Sequence, residues 1–495
     1  MSELQFNYSL LLPEYLIAGT AGVVLLADAF RAELRMSRRA LPWIVVVGAV
    51  LTVLASLAGA GRHEEFAGLF AVDQFTTFFR VLFASTLAVV VIGSHEFVTK
   101  EIRHQGEFYA MLAFATAGAV VMAASRELLS AYIGIELVSF SLYVAVSLAK
   151  QDPRSGEAGL KYVLLGGVAS ATLLYGMSLI YGAAGSTQYT EIAANLANGS
   201  ADGLHMPLVL GLAMIIAGVG FKASAVPFHM WTPDAYEGAP LPVTAVLSAT
   251  SKAAAFALIL RLFAGPLLPV LHEWQWMIAV VSLLTMGFGN LIALQQTNIK
   301  RLLAYSSIGQ VGFMLMAVAT ISDVSASALL LHLGGYLVTN LAVFMAVIAF
   351  YNQTGSEEIA SMRGLAETNP YLALVIGVGL FSLSGMPLLA GFTTKFMLFQ
   401  AAASGGYLWL VSIAVIMSTI SLFYYLKVIR QMYVIKANGQ LVDPQAPDDV
   451  VERWRLTPTG YLVTGALLVG VVVVGLWVAP LAVAADRAAS ALFAG

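Results

Sequence analysis

The chain is divided into apolar stretches of about twenty residues, each long enough to cross a hydrocarbon core about 30 Å thick. About fourteen can be read, at roughly 11–29, 41–60, 74–94, 107–125, 127–149, 157–183, 206–230, 240–263, 274–294, 302–321, 327–351, 370–400, 405–433 and 457–484. In lipid every backbone polar group must be satisfied internally, and stretches this long do so as helices. The expected fold is therefore an all-α polytopic membrane protein. The twelfth stretch is too long for one straight span and should be interrupted. Composition agrees: 11% of residues are charged, against about 25% in soluble domains.

Loop charges orient the bundle, because lysine and arginine accumulate on the cytoplasmic side. The odd-numbered loops hold Arg31, Arg35, Arg38, Arg39, Lys100, Arg103, Lys150, Arg154, Lys300, Arg301, Arg363, Lys427, Arg430, Lys436, Arg453 and Arg455. The other side holds only Arg62, Arg126, Arg261 and Arg487. Both termini should then face the periplasm or its equivalent. Glu3 stands where a secretory leader would carry basic residues, so no cleaved leader is expected.

This partition leaves Arg80, Lys161, Lys222, Lys252 and Lys395 inside the spans. A charge at the bilayer centre costs at least about 2.5 kcal/mol, and such residues usually line polar paths. Lys161 and Arg80 lie near span ends, where snorkelling to the interface is an equal alternative. Lys222, Lys252 and Lys395 lie deeper, beside polar or helix-breaking residues. A lysine's proton affinity falls on burial and rises beside a carboxylate, so a buried lysine can switch protonation when a neighbouring charge moves.

Glu136 is the natural neighbour. It stands in a stripe, Tyr132, Glu136, Ser139 and Tyr143, along one face of the fifth span. Thr244, Ser248 and Lys252 form a similar stripe in the eighth, and His332, Tyr336 and Asn340 in the eleventh. Interhelical hydrogen bonding is the structural alternative for such stripes.

Prolines interrupt two spans. Lys222-Ala-Ser-Ala-Val-Pro227-Phe-His229 lies in the seventh, and Ser384-Gly-Met-Pro387-Leu-Leu-Ala-Gly391 precedes Lys395 in the twelfth. Proline removes a helix donor, and in lipid the freed carbonyls need neighbours or water. His229 either relays protons or caps its break. Leu165-Gly-Gly parallels Leu333-Gly-Gly 168 residues on, and the two prolines are 160 apart. Both offsets correspond to five spans. An odd number of helices inverts the second copy, a transporter signature. The implied units are 1–106 (helices 1–3), 107–263 (first repeat, helices 4–8), 274–433 (second, inverted repeat, helices 9–13) and 457–495 (helix 14).

Several chemistries are not expected. The chain has no cysteine, so thiolate-held iron–sulfur clusters and c-type haem attachment are excluded. Gly218-Val-Gly220 and Gly377-Val-Gly379 lie inside spans and do not read as dinucleotide loops. His63-Glu64 and His95-Glu96 lack the second histidine of a zinc helix. No Walker A sequence and no basic tract for nucleic acid is present.

Three runs resemble the antiporter-like subunits of respiratory complex I. They are Val226-Pro-Phe-His-Met-Trp-Thr-Pro-Asp-Ala-Tyr-Glu-Gly-Ala-Pro-Leu-Pro-Val-Thr-Ala245, Asn298-Ile-Lys-Arg-Leu-Leu-Ala-Tyr-Ser-Ser-Ile308 and Gly385-Met-Pro-Leu-Leu-Ala-Gly-Phe392. Gly134-Ile-Glu-Leu137, Glu157-Ala-Gly-Leu-Lys-Tyr162 and Thr250-Ser-Lys-Ala-Ala-Ala-Phe256 look most like the subunit N branch. The end after helix fourteen fits that branch better than subunit L, which continues into a lateral helix. The resemblance implies a proton-translocating subunit of NADH:quinone oxidoreductase. Glu136 and Lys222 would form the ion pair of a first half-channel, Lys252 the connection, and Lys395 the end of the second. Lys161, His229 and Lys300 would be auxiliary. It implies no cofactor in this chain, with FMN, iron–sulfur clusters and quinone in other subunits. The implied partners are antiporter-like and small membrane-arm subunits, in a bacterial plasma membrane or a thylakoid. The other family with this module, the multisubunit cation/proton antiporters, gives the alternative reading.

Overall fold

A computed structural model describes residues 7–33, 35–201, 203–436 and 453–493; Glu3 lies outside them. The helices are α1 Leu12–Ala29, α2 Leu41–Ala58, α3 Gln74–Gly93, α4 His95–Glu101, α5 Gln105–Ala124, α6 Leu128–Val146 and α7 Pro153–Ala184. They continue as α8 Tyr189–Ala197, α9 His205–Ala223, α10 Trp231–Gly238, α11 Leu241–Val246, α12 Lys252–Phe263, α13 Leu271–Ala293 and α14 Ile299–Ala319. The last are α15 Asp323–Thr354, α16 Leu365–Thr368, α17 Pro370–Ser384, α18 Ala390–Ser404, α19 Leu408–Tyr433, α20 Pro458–Leu476 and α21 Ala479–Phe493. Among the described residues, 13 helical segments are long and apolar enough to cross a membrane. The polytopic all-α reading holds, with one small addition. A hairpin of β1 Glu64–Phe66 and β2 Phe70–Val72 precedes α3.

The twelfth stretch is two helices, α17 and α18, as its length and Pro387 require. Gly385, at φ 92°, takes the left-handed conformation that ends α17. The seventh stretch is broken too, just before Pro227. Its helix stops at Ala223, where Ser224 turns left-handed at φ 70°, and the chain re-enters a helix only at Trp231. The last stretch also divides, ending at Leu476 before the separate α21. Between α11 and α12 the backbone makes a π-helical turn, Leu247–Ser251, inside one continuous span. Such turns leave carbonyls open to other partners.

Side chains fix the helix starts. Asp73 accepts from the Thr76 amide, Glu127 from those of Leu129 and Ser130, and Asn298 from those of Lys300 and Arg301. Ser322 and Ser325 form a capping box on α15. Two helices, α7 and α15, have the same length of 32 residues, and each ends on a left-handed glycine, Gly185 or Gly355. Glu127 bridges Gln188 beyond α7, and Asn298 bridges Glu358 beyond α15.

The span Leu241–Phe263 and α14 are wholly buried, whereas α7, α19 and α20 are mostly exposed. The first two therefore form the axis and the others the outer wall. The axis packs through glycine. A Cβ on Gly312 of α14 would fall 2.4 Å from the Met286 amide nitrogen of α13, and one on Gly289 would fall 2.5 Å from that of Gly309. Backbone cannot yield as a side chain can, so Gly312→Val is expected to destabilise by at least the 1–3 kcal/mol or so typical of overpacking. Thermal unfolding of the solubilised protein would read this as a lowered midpoint.

Candidate functional site: a buried polar seam

Lys222 occupies the last turn of α9 and is 3% exposed. Its Nζ donates to Ser139 Oγ of α6 at 3.0 Å. Glu136 lies one turn away on the same helix, half-buried, and its carboxyl accepts a hydrogen bond from Ser170 of α7. The expected Glu136–Lys222 ion pair is not closed: the amine rests on Ser139 and the carboxylate on Ser170. The stripe faces α7 and α9, as a polar face should. Tyr143 packs on Tyr162 at 4.6 Å between ring centres, and Tyr162 stacks on Trp231 at 4.3 Å. The Trp231 indole donates to the Phe221 carbonyl at 2.9 Å, satisfying an acceptor at the break.

Lys252 follows the π-helical turn directly. It is 1% exposed, with Nζ donating to Ser307 Oγ of α14 at 2.6 Å and the Tyr236 ring centre 5.7 Å away. The stripes of the eighth and eleventh spans meet at this turn. Asn340 donates to Ser248 Oγ at 2.6 Å, and the Tyr336 hydroxyl donates to the Ser248 carbonyl at 3.4 Å.

On α14, Ser306, Ser307 and Gln310 carry the seam onward. Gln310 Nε2 donates to the Leu383 carbonyl at 3.1 Å, and Lys395 Nζ donates to the same oxygen at 2.7 Å. Leu383 is the penultimate residue of α17, so the break at Gly385 leaves its carbonyl without a helical donor. Lys395 also lies 5.1 Å from the Phe313 ring centre and borders a cavity of about 370 Å³ with Ser384, Phe396 and Ser418. His332 Nδ1 is 3.0 Å from Thr394 Oγ1, beside Lys395, while its Nε2 is buried without a partner among the described residues. The Tyr425 hydroxyl meets Ser306, and that of Tyr424 donates to Asn290. Among the described residues, no carboxylate lies within ion-pair distance of Lys222, Lys252 or Lys395, unlike Lys300 and Arg261.

Other assignments change. Lys161 is not buried: its side chain is 46% exposed and pairs with Glu157 at 2.8 Å and Asp234 at 3.0 Å. Burial raises the Asp234 carboxyl, but Lys161 and Arg301 together hold it below the ordinary carboxylate value. At the break the Trp231 indole donates to the Phe221 carbonyl, and His229 lies beside it with a buried Nδ1. Lys300 and Arg261, counted with the loops, are buried. Lys300 pairs with Glu357 at 2.6 Å and donates to the Ala239 carbonyl. Arg261 pairs with Asp73 at 2.7 Å and reaches Thr76 and the Ala123 carbonyl. Arg80 is paired with Glu14 at 2.6 Å, joining α3 to α1. The sequence reading missed Ser170, Ser307 and Gln310. The last two share a face with Ser306 on α14, a signal hidden because that helix is polar without an ionisable centre.

Comparison with known proteins follows the same lines. The family profile described as "NADH:quinone oxidoreductase/Mrp antiporter, TM" matches residues 125–421. NADH-quinone oxidoreductase subunit N of Moorella thermoacetica is 42% identical over 398 residues, covering 80% of this chain and 83% of that one. A chain of respiratory complex I from Thermus thermophilus superposes with a TM-score of 0.76 at 30% identity, covering 94% and 98% of the two chains. A chain of the Mrp complex from Dietzia has a TM-score of 0.80 at 22% identity, covering 97% and 98%, a likeness of fold.

Proposed function

Since this chain belongs to the NADH:quinone oxidoreductase/Mrp antiporter family, in its subunit N branch, we propose that the seam from Glu136 to Lys395 is its proton path. The chain is a multi-pass, proton-translocating membrane-arm subunit of a quinone oxidoreductase complex. Three buried lysines without a carboxylate in contact, each held by a hydroxyl or a carbonyl, carry the finer reading. A lysine paired tightly to a carboxylate stays charged, whereas one held only by neutral groups can lose its proton when a nearby charge shifts.

In this reading Glu136 and Lys222 form the input element. Drawing Glu136 toward Lys222 would stabilise the ammonium, and releasing it to Ser170 would free the proton for Lys252. Ser307, Gln310 and the Leu383 carbonyl connect Lys252 with Lys395. The cavity beside Lys395 supports release there, and His332 is a neighbouring relay. Lys161 and Lys300 pair with carboxylates and hold the entrance; His229, at the break beside Lys222, remains auxiliary. Two inverted five-helix repeats are supported by the equal lengths of α7 and α15 and the matching bridges after them.

Each charge moved against 100 mV requires about 2.3 kcal/mol. Nothing in this sequence extracts that energy from a nucleotide or a redox centre. Quinone reduction in neighbouring subunits, which would hold the flavin, clusters and quinone, supplies it in this reading. Other membrane-arm subunits adjoin the chain, antiporter-like and small ones among them. The bias of loop cations supports both termini on the periplasmic side or its equivalent, in a bacterial plasma membrane or a thylakoid. The antiporter alternative rests on likeness of fold and shared family alone.

Lys252→Met keeps the side-chain length and removes the amine. In the assembled complex it should slow proton movement through this subunit about tenfold or more, since a positioned acid–base group contributes about 10²-fold or more, and so lower protons moved per electron by this subunit's share. Measured in sealed vesicles, an unchanged ratio would refute the connecting role.

A further inference from the structure

A groove of about 460 Å³ runs along α3 where it faces α15, α20 and α21. On α3 its wall follows one face, from Gln74 through Phe78 and Leu82 to Val89. That distance is about 22 Å at about 1.5 Å per residue, while one leaflet's hydrocarbon is about 15 Å deep. The opposite wall is Leu337, Leu341, Leu467 and Leu481. Thr77 and Thr86 also border the groove, but their hydroxyls donate to the carbonyls of Asp73 and Leu82. Apart from the Ser85 hydroxyl midway, the trough therefore offers hydrocarbon along its length.

One end differs. Arg487 of α21 lines the groove together with Gln74. Ser327 holds Asp486, and Leu481 abuts Gly334, so α21 runs back along α15 with Arg487 toward the first turn of that helix. Arg487 is exposed and has neither ion pair nor hydrogen bond among the described residues. The nearest carboxylate in sequence, Asp486, is engaged by Ser327. A cation at the mouth of a narrow apolar trough is complementary to an anion bearing a long hydrocarbon chain. Width argues against a protein helix: one about 10 Å across and about 22 Å long displaces about 1700 Å³, more than the groove's whole empty space of about 1190 Å³.

We propose that this groove holds one acyl chain of an anionic phospholipid, with the headgroup seated on Arg487. The lipid would wedge α3 against α15, and it is separate from the lysine seam.

The assembled complex in nanodiscs containing phosphatidylglycerol with a diazirine on one acyl chain tests this, with equally labelled phosphatidylcholine as the reference. After illumination, mass spectrometry should place phosphatidylglycerol adducts on peptides of α3 and α15. Arg487→Gln should lower that yield about fivefold, the worth of one basic side chain toward an anionic lipid, and leave phosphatidylcholine unchanged. Ala484→Phe, which fills the groove, should lower both. Adducts on α3 and α15 no more frequent than on the outward face of α7 would overturn the proposal. So would labelling that favours neither lipid and is indifferent to Arg487.

Discussion

Alanine at Lys222 or Lys395 is expected to uncouple this subunit while leaving the complex assembled. Each amine is buried, yet each is held by a single neutral acceptor, Ser139 Oγ or the Leu383 carbonyl. Losing the amine therefore breaks no salt bridge, and the Leu383 carbonyl keeps its bond from Gln310. The structural cost is small beside the functional one. Proton movement through the subunit should fall at least about tenfold in either variant, the low side of what a positioned acid–base group contributes. Sealed vesicles with an entrapped pH indicator would give protons per electron, and quinone reduction by the same vesicles would show whether coupling or turnover is lost. Lys100→Ala is the control: its side chain is 48% exposed and pairs with Glu96 outside the seam, and less than about a twofold change is expected there. Normal pumping in both Lys222→Ala and Lys395→Ala would refute the proposed path.

The largest effect on stability is expected at Arg261. Its guanidinium is 4% exposed and binds Asp73, Thr76 and the Ala123 carbonyl, tying α12 to the start of α3 and the end of α5. Arg261→Met leaves the Asp73 carboxylate buried without its cation, which typically costs about 3–5 kcal/mol. Asp73→Asn in the same chain should restore much of that loss, because the asparagine still accepts from the Thr76 amide. Thermal unfolding of the three variants would show this as strong non-additivity. Acidity gives an independent reading. Burial raises the Asp73 carboxyl, but the Arg261 charge, its hydrogen bonds and the Thr76 amide together hold it below the ordinary value. A carboxylate depressed in the folded state contributes its stability in full above the unfolded value of about 3.9, and loses it as pH falls through the folded one. The wild type should therefore weaken below about pH 4 by more than Arg261→Met does.

Helix number and most helix ends were legible because lipid imposes a length on each span that composition cannot disguise. The break in the seventh stretch was legible from Pro227, but its place was not: the left-handed turn falls at Ser224, three residues earlier, and a serine carries no compositional mark of such a turn. Lys222, Lys252 and Lys395 were legible as buried because loops could not account for them, whereas Lys161, taken by the same rule, lies outside. The reverse error occurred for Lys300 and Arg261. Both sit within a turn of a helix end, so sequence places them at an interface, yet neighbouring carboxylates let the bundle enclose them. What sequence could not give was the connection between sites. Ser307 and Gln310 matter through what they touch across helices, 55 and 73 residues away, and no local pattern encodes that.

The wholly buried axis also bears on how the chain is made. Ser139 and Leu383 precede Lys222 and Lys395 in the chain, so those two amines meet an acceptor already synthesised. Lys252 does not, because Ser307 lies 55 residues further on. At about 5–20 residues per second, the ribosome needs on the order of five seconds to supply it. For that interval a span carrying an unsatisfied amine has left the ribosome without the helix that encloses it, and lateral release into lipid would be penalised. The burial of this axis therefore favours retention of the Lys252 span beside the insertion machinery until α14 arrives.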